Sequence, residues 1–187
     1  VDKASHIKDK LVEMTHLNET IYSTGIASSY QATQTKSGAY INDEMIANVC
    51  KHHVTKIPYV IGRLAQDLAG GLVVTLPSEA DLEHPEIGPL INKYLKGRDE
   101  ISTKDRIRIL RLIENMTLGR NAVGYLTESL HGAGSPQAQR IQIARQMQLD
   151  VKKQFAKTLA GIDTDTREEI STDLAEYFAR VFRPPGS

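Results

Sequence analysis

The chain has 187 residues, 40% of them apolar and 25% charged, an ordinary balance for one globular domain with its own hydrophobic core. Its 23 basic and 23 acidic side chains cancel, so no net field draws it toward nucleic acid or anionic lipid, and seven Tyr, three Phe and no Trp give no sign of a base-stacking surface. No apolar run approaches the roughly 20 residues that span a bilayer, and the opening Val1-Asp-Lys-Ala-Ser-His6 lacks the apolar core of a secretory signal.

These features predict a soluble, cytoplasmic protein without nucleic-acid or membrane partners. Cys50 is the single cysteine, so the chain forms no internal disulfide and cannot alone supply the thiolates of an iron–sulfur cluster or a structural zinc site. No metal site is expected on it. An opening valine close to a periodic helix, and the closing Gly186-Ser187, predict that the chain is a piece of something longer.

In chain order, Ile7, Leu11, Met14, Leu17 and Ile21 step by fours and threes, which predicts a long first helix reaching the Gly25 to Ala32 region. The polar stretch Gln31 to Gly38 breaks it, and a second helix is expected from about Ile41. Val54, Ile57, Ile61, Leu64 and Leu68 continue an apolar stripe, with Pro58 as a kink or a junction between two helices and Gly70-Gly71 as the stop. Leu72 to Leu76 is a β-branched run between glycine and proline; one such run cannot make a sheet, so it is expected to be an ordered connector.

Ser78 to Ile87 reads as a loop leading into a short helix around Pro89 to Leu95, ended by Gly97. Ser102-Thr-Lys-Asp105 has the capping-box pattern and should start a helix, with Ile107, Leu110, Ile113 and Met116 on its apolar face, running to Leu130 either whole or interrupted, with Gly119 and Gly124 as thin places. After His131-Gly-Ala-Gly134, Ser135 is placed as an N-cap with Pro136 at the first helical position, and Ile141, Ala144 and Leu149 are expected on the new helix. A last helix is expected over 163–183, with acids in its first turn and Arg180 and Arg183 near its end. The predicted class is all-α, about six helices in an antiparallel bundle, where sites are built from side chains facing the core or its open end.

Within Tyr125 to Gln139, Glu128 and His131 lie one turn apart on one helical face, just before a glycine break. A carboxylate at the mouth of a bundle, desolvated and beside an imidazole, suits proton transfer. The alternative is a histidine that satisfies helix-end carbonyls beside a solvated glutamate. Gly70-Gly71 after Asp67 could let backbone approach a phosphate, although it lacks the spaced third glycine and strand context of a dinucleotide fingerprint and reads by default as a helix stop. Arg106, Arg108 and Arg111 read as a solvated face, although one of them could reach a cofactor phosphate, and Arg63 is the better candidate for that contact. Adjacent His52 and His53 diverge by about 100° on a helix, which argues against a chelating pair.

Lys3 to Met14, Asn48 to Lys51, Pro58-Tyr59, Arg63 to Glu79, Leu112 to Gly119 and Thr127 to Arg140 together closely resemble the C-terminal part of the 4-hydroxybutyryl-CoA dehydratase/vinylacetyl-CoA delta-isomerase family, within the wider superfamily of flavin-dependent 4-hydroxyphenylacetate 3-monooxygenases. The resemblance runs to about Gly161 and does not extend over 163–183.

It implies the C-terminal helical bundle of an acyl-CoA-dehydrogenase-like fold, in a homotetramer where the bundle makes subunit contacts and helps enclose FAD. It implies a lyase and isomerase that converts 4-hydroxybutyryl-CoA to crotonyl-CoA and isomerises vinylacetyl-CoA, with FAD and a 4Fe-4S cluster in a ketyl-radical mechanism. The family's proposed acid/base glutamate falls on Glu128, with His131 beside it, and Arg63, Gly70 and Gly71 become candidates for holding the cofactor.

The family's cluster ligands, three cysteines and a histidine, lie upstream of the matched region, and Cys50 matches a cysteine outside that set. The chain alone is therefore expected to bind no cluster and to be inactive. Two other readings stay open, a flavin-dependent monooxygenase of the same superfamily and a non-catalytic helical oligomerisation module.

Overall fold

In the computed structural model, which describes residues 4–162 together with Ala175 and Ala179, helices carry almost all of the regular structure. The expected last helix over 163–183 lies, apart from Ala175 and Ala179, outside the described residues. The elements in order are α1 (Ser5–Tyr30), a two-strand hairpin of β1 (Thr33–Gln34) and β2 (Tyr40–Ile41), α2 (Glu44–Val54) and α3 (Ile57–Ala69). There follow a 3-10 turn (Gly70–Val74), α4 (Glu79–Glu83), α5 (Ile87–Leu95) and α6 (Thr103–Thr117). A π turn (Val123–Thr127) then leads into α7 (Glu128–Ala133), α8 (Pro136–Gln146) and α9 (Leu149–Leu159). Among the described residues no helix is long and apolar enough to cross a membrane.

Contacts divide the chain into two units, Val1–Asn18 with Val54–Ala133 and Glu19–His53 with Gly134–Ser187. In the first unit, α3 packs on α6. Ile57 and Leu64 from α3, Val73 from the 3-10 turn, and Ile107 and Leu110 from α6 are all buried. Gln66 near the end of α3 donates to the carbonyl of Thr117 at 3.2 Å, while Arg111, earlier on α6, donates to the carbonyls of Leu76 and Pro77, beyond α3, at 3.1 and 2.9 Å. The two helices approach closely at Gly62, where an added Cβ would stand 3.3 Å from the Thr117 methyl and 3.6 Å from Leu126 Cδ2 in the π turn. A side chain there would require the Thr117 methyl to give way by a few tenths of an ångström.

The helix starts follow their capping chemistry. Ser78 Oγ accepts from the Asp81 amide at 3.2 Å and the Asp81 carboxylate accepts from the Ser78 amide at 2.8 Å, a complete capping box that starts α4 where a loop was expected. At Ser102 only half of the expected box forms. The hydroxyl accepts from the Asp105 amide at 3.0 Å, but the carboxylate takes the Ser102 hydroxyl at 2.7 Å in place of the backbone donor.

The run Leu72 to Leu76 is the ordered connector expected, with Leu72 to Val74 in the 3-10 turn and Gly70, at φ 66°, ending α3. Three other expectations are shifted or decided for local reasons. The second helix starts at Glu44 because the Asp43 carboxylate caps it by accepting from the Ile46 amide at 2.8 Å, which leaves Ile41 in the hairpin. The helix from Thr103 stops at Thr117 because Leu118 is extended (φ −130°, ψ 151°) and Gly119 is left-handed (φ 62°), so Leu130 belongs to α7. Leu149 opens α9 and does not continue α8, because Gln148 takes φ 47°. Pro58, in the first turn of α3, does mark a junction between helices.

The second unit holds the later part of α1, the hairpin, α2, α8 and α9. Its hairpin is tied to α1 by Ser28, whose hydroxyl donates to the Asp43 carbonyl at 3.0 Å and accepts from Asn42 at 3.1 Å. Gln139 on α8 is 3% exposed; its Nε2 donates to the Gly134 carbonyl at 3.2 Å and its Oε1 lies 3.3 Å from His52 Nδ1. That contact uses His52 in packing within the unit. Ser135 caps α8 with Pro136 in the first turn, as its sequence predicts.

Two stability outcomes follow from the first unit. Gly62→Val should lower stability by about 1–3 kcal/mol in thermal or denaturant unfolding, because the side chain overpacks Thr117 and Leu126; Gly132→Ala, where an added Cβ meets nothing within 4 Å, should be neutral or raise Tm.

Asp67 holds the Lys10 ammonium at 2.8 Å, and this bond, with the charges of Lys10, Arg63 and His6, keeps its carboxyl below the ordinary 3.8 despite a smaller opposing cost of burial. A lowered carboxyl pKa stabilises the fold above the ordinary value and loses that contribution as pH falls through the folded value. The Tm gap between native protein and Asp67→Asn should therefore be open at pH 7 and close below about pH 4; a gap unchanged across that range would contradict the pairing.

Candidate functional site

The chain leaves α6 at Thr117, turns through Gly119 and buries Ala122, which stands 7% exposed. From there the π turn starts the helix that carries the candidate acid. Its defining bond runs from the Glu128 amide to the Val123 carbonyl, five residues back. Wider turns of this kind recur at functional positions in helices. Tyr125 and Leu126 are half-buried, and Leu126 is one of the two neighbours at Gly62. The Ser129 hydroxyl donates to the Tyr125 carbonyl at 2.5 Å and adds a side-chain bond across the turn.

Glu128 and His131 share a face, as their spacing requires. Glu128 Oε1 lies 3.9 Å from His131 Nδ1, close enough for a charge interaction and too long for a hydrogen bond. The side chains are 65% and 84% exposed, respectively. The desolvation expected of a carboxylate at a bundle mouth is therefore not supplied by the described residues. The capping alternative is not seen either, since no hydrogen bond among the described residues joins His131 to a helix-end carbonyl.

The three cofactor candidates stand on the neighbouring element of the same unit. Arg63 follows Gly62 on α3 but is exposed, and its charge acts on Asp67 one turn later. Gly70 and Gly71 are exposed at the end of α3, and an added Cβ at either would meet nothing within 4 Å. α3 and the π turn are packed together at Gly62, yet among the described residues no hydrogen bond or ion pair links Arg63, Gly70 or Gly71 to Glu128 or His131. The five candidates border one packed region of the first unit.

Two features escaped the sequence reading. Burial pushes the Tyr125 phenol above its ordinary 10.0, which keeps it protonated and able to donate a hydrogen bond. Its position at the head of the Glu128 helix was visible, but the π turn that half-buries it leaves no mark in a 3.6-residue periodicity. The second is a groove of about 550 Å³ between the Pro77 to Leu82 segment and α6, lined by none of the five candidates.

Among the described residues no group of three or more His, Cys, Asp or Glu could hold a metal ion. Cys50 is half-buried, with Sγ 3.5 Å from the Ile21 carbonyl. A lone thiol turned toward α1 does not suit a four-ligand cluster.

Comparison with known proteins agrees with this architecture. The 4-hydroxybutyryl-CoA dehydratase/vinylacetyl-CoA-Delta-isomerase of Clostridium aminobutyricum is 54% identical over 168 residues, 86% of this chain and 34% of that protein. The solved structure of an oxygen-tolerant archaeal 4-hydroxybutyryl-CoA dehydratase from N. maritimus superposes with a TM-score of 0.82 at 64% identity, over 99% of this chain and 37% of that one. The oxygenase component of 4-hydroxyphenylacetate 3-monooxygenase, solved with FAD and 4-hydroxyphenylacetate, shares the fold at a TM-score of 0.75 and 19% identity, over 91% of this chain and 34% of that one.

The chain thus spans about a third of the length of these relatives, 34% to 37%. The fold is that of the helical region of acyl-CoA-dehydrogenase-like enzymes. Residues 1–161 match the family described as HpaB: 4-hydroxyphenylacetate 3-hydroxylase C terminal, and with α3, α6 and the Glu128 helix all inside that span, the chain belongs to this family.

Proposed function

We propose that residues 1–187 are a single C-terminal helical domain of a 4-hydroxybutyryl-CoA dehydratase, an enzyme that forms crotonyl-CoA and also isomerises vinylacetyl-CoA. The observation that carries this reading is the 54% identity over 168 residues to a protein of that activity, supported by the archaeal dehydratase at 64%. The monooxygenase alternative rests on a relative at 36% identity over only 56 residues, on others at 26% and 22% over 113 and 118 residues, and on a solved structure at 19%, all weaker than the dehydratases.

The chemistry states what the domain must contribute. The β-hydrogen of an acyl thioester is weakly acidic, so its removal needs both an electronic activation and a placed base. On this chain the group that could hold or move that proton is the Glu128 carboxylate, with the His131 imidazole 3.9 Å away to orient or share it. Because both are exposed here, the surface that excludes water must come from the rest of the enzyme or a second subunit.

The residues present do not suit a 4Fe-4S cluster, so its ligands belong to the remainder of the protein. Arg63, Gly70 and Gly71 offer an open face and not an enclosed cradle, so they would form one wall of an FAD site completed elsewhere. Exposed apolar side chains on the first unit, including Val74 at 70%, Ile109 at 59% and Leu112 at 53%, support contacts with other parts of a homotetramer. A cytoplasmic location belongs to the same reading.

In the full-length enzyme, Glu128→Gln should reduce turnover at least 100-fold, about 2.7 kcal/mol of barrier, while flavin and cluster absorbance stay unchanged. Near-normal turnover in that variant would remove Glu128 from the mechanism.

A further inference from the structure

The groove between the Pro77 to Leu82 segment and α6 has two chemically distinct parts. Its floor is apolar, formed by Ile107, which is 5% exposed, with Pro77 and Leu82 opposite and Leu112 as a half-open wall. Its lip is cationic. Lys104 and Arg108 stand four residues apart on the same face of α6, and Arg111 continues the row three residues later.

The three cations are not equivalent. Arg111 is committed to the fold, since its guanidinium binds Glu114 and the carbonyls of Leu76 and Pro77, and so pins the wall that faces α6. Arg108 keeps donors to spare: its neighbour Asp105 is 3.6 Å away and already accepts from the Ser102 hydroxyl. Lys104 makes no ion pair among the described residues. Glu79 is the single acid lining the groove. In a chain of net charge zero, an apolar slot bordered by two available cations selects a ligand with an apolar or aromatic body and several negative charges.

We infer that this groove binds the nucleotide end of an acyl-CoA, with Lys104 and Arg108 on its phosphates and the adenine ring over Ile107 and Leu112. The inference rests on the proposed CoA-ester chemistry for its substrate, and it assigns the nucleotide a place separate from Glu128, Arg63, Gly70 and Gly71. Charge complementarity sets the occupant, because a groove meant only for an apolar partner segment would gain nothing from a Lys104 unpaired among the described residues and an Arg108 held by one carboxylate at 3.6 Å. An arginine and a lysine one turn apart can engage two phosphate groups at once. Arg111, by holding the Leu76 and Pro77 carbonyls, is a positioning residue for the groove.

The test uses the full-length enzyme. In Lys104→Gln/Arg108→Gln, KM for vinylacetyl-CoA should rise at least tenfold with kcat within twofold of native, and its salt dependence should flatten. Turnover of vinylacetyl-pantetheine, which lacks the nucleotide, should be the same in both enzymes. An unchanged KM for the CoA ester, or an equal rise for the pantetheine ester, would overturn the assignment.

A second measurement needs neither turnover nor a variant. Adenosine 3′,5′-bisphosphate, added to native enzyme, should slow acetylation of Lys104 by acetic anhydride at least fivefold, read by peptide mass spectrometry, while Lys36 is unaffected. Equal acetylation of Lys104 with and without the nucleotide would refute the site. If native enzyme does not turn over vinylacetyl-CoA, the proposed activity fails by itself, and the protection result still decides whether the groove takes a nucleotide.

Discussion

The close approach of α3 to α6 and the π turn at Gly62 is the contact on which the site depends. Thr117 and Leu126 come within van der Waals reach of the space a side chain would fill there, and Gln66, one turn further on, ties α3 to the end of α6 through the Thr117 carbonyl. Leu126 is two residues before Glu128, so this contact fixes the base of the helix that bears the candidate acid. The neighbour of Gly62 on α3 is Arg63, and the same helix ends at Gly70. The contact at Gly62 thus joins α3, which carries Arg63 and leads into Gly70 and Gly71, to the π turn that leads into Glu128 and His131.

Much of this could be read from the sequence where the signal was chemical and local. Ser135 with Pro136, Gly70 as a stop, Pro58 at a junction and the pairing of Glu128 with His131 on one face each follow from a residue type with one dominant physical use. The resemblance carried by Arg63 to Glu79 and Thr127 to Arg140 led to the family. What the sequence concealed was decided by competition between neighbours. Asp43 captured a helix start from Ile41, Leu118 and Gly119 ended a helix whose apolar periodicity continues past them, and a left-handed Gln148 separated two helices with no glycine to announce it. The π turn could not be read at all, because one additional residue in a turn changes no composition and little periodicity.

Exposure at the site could not be read from the sequence. A carboxylate at the mouth of a bundle suits proton transfer when it is desolvated, and the structure leaves Glu128 65% exposed. This is physically consistent with a chain that spans about a third of its relatives, 34% to 37%. A proton-transfer group works when water is excluded around it, and a helical domain can present such a group on its surface if another part of the assembly closes over it. The exposed apolar residues on α6 and the 3-10 turn suit the same arrangement.

The account stands on Glu128 becoming buried against substrate once the enzyme is whole. The most direct test is a structure of the full-length holoenzyme with a bound, slowly turned-over acyl-CoA analogue. The account expects the Glu128 carboxylate to be covered by a surface from outside this chain and to lie within hydrogen-bonding distance of the acyl group or the flavin. A Glu128 side chain still open to bulk solvent, and far from both, would contradict it.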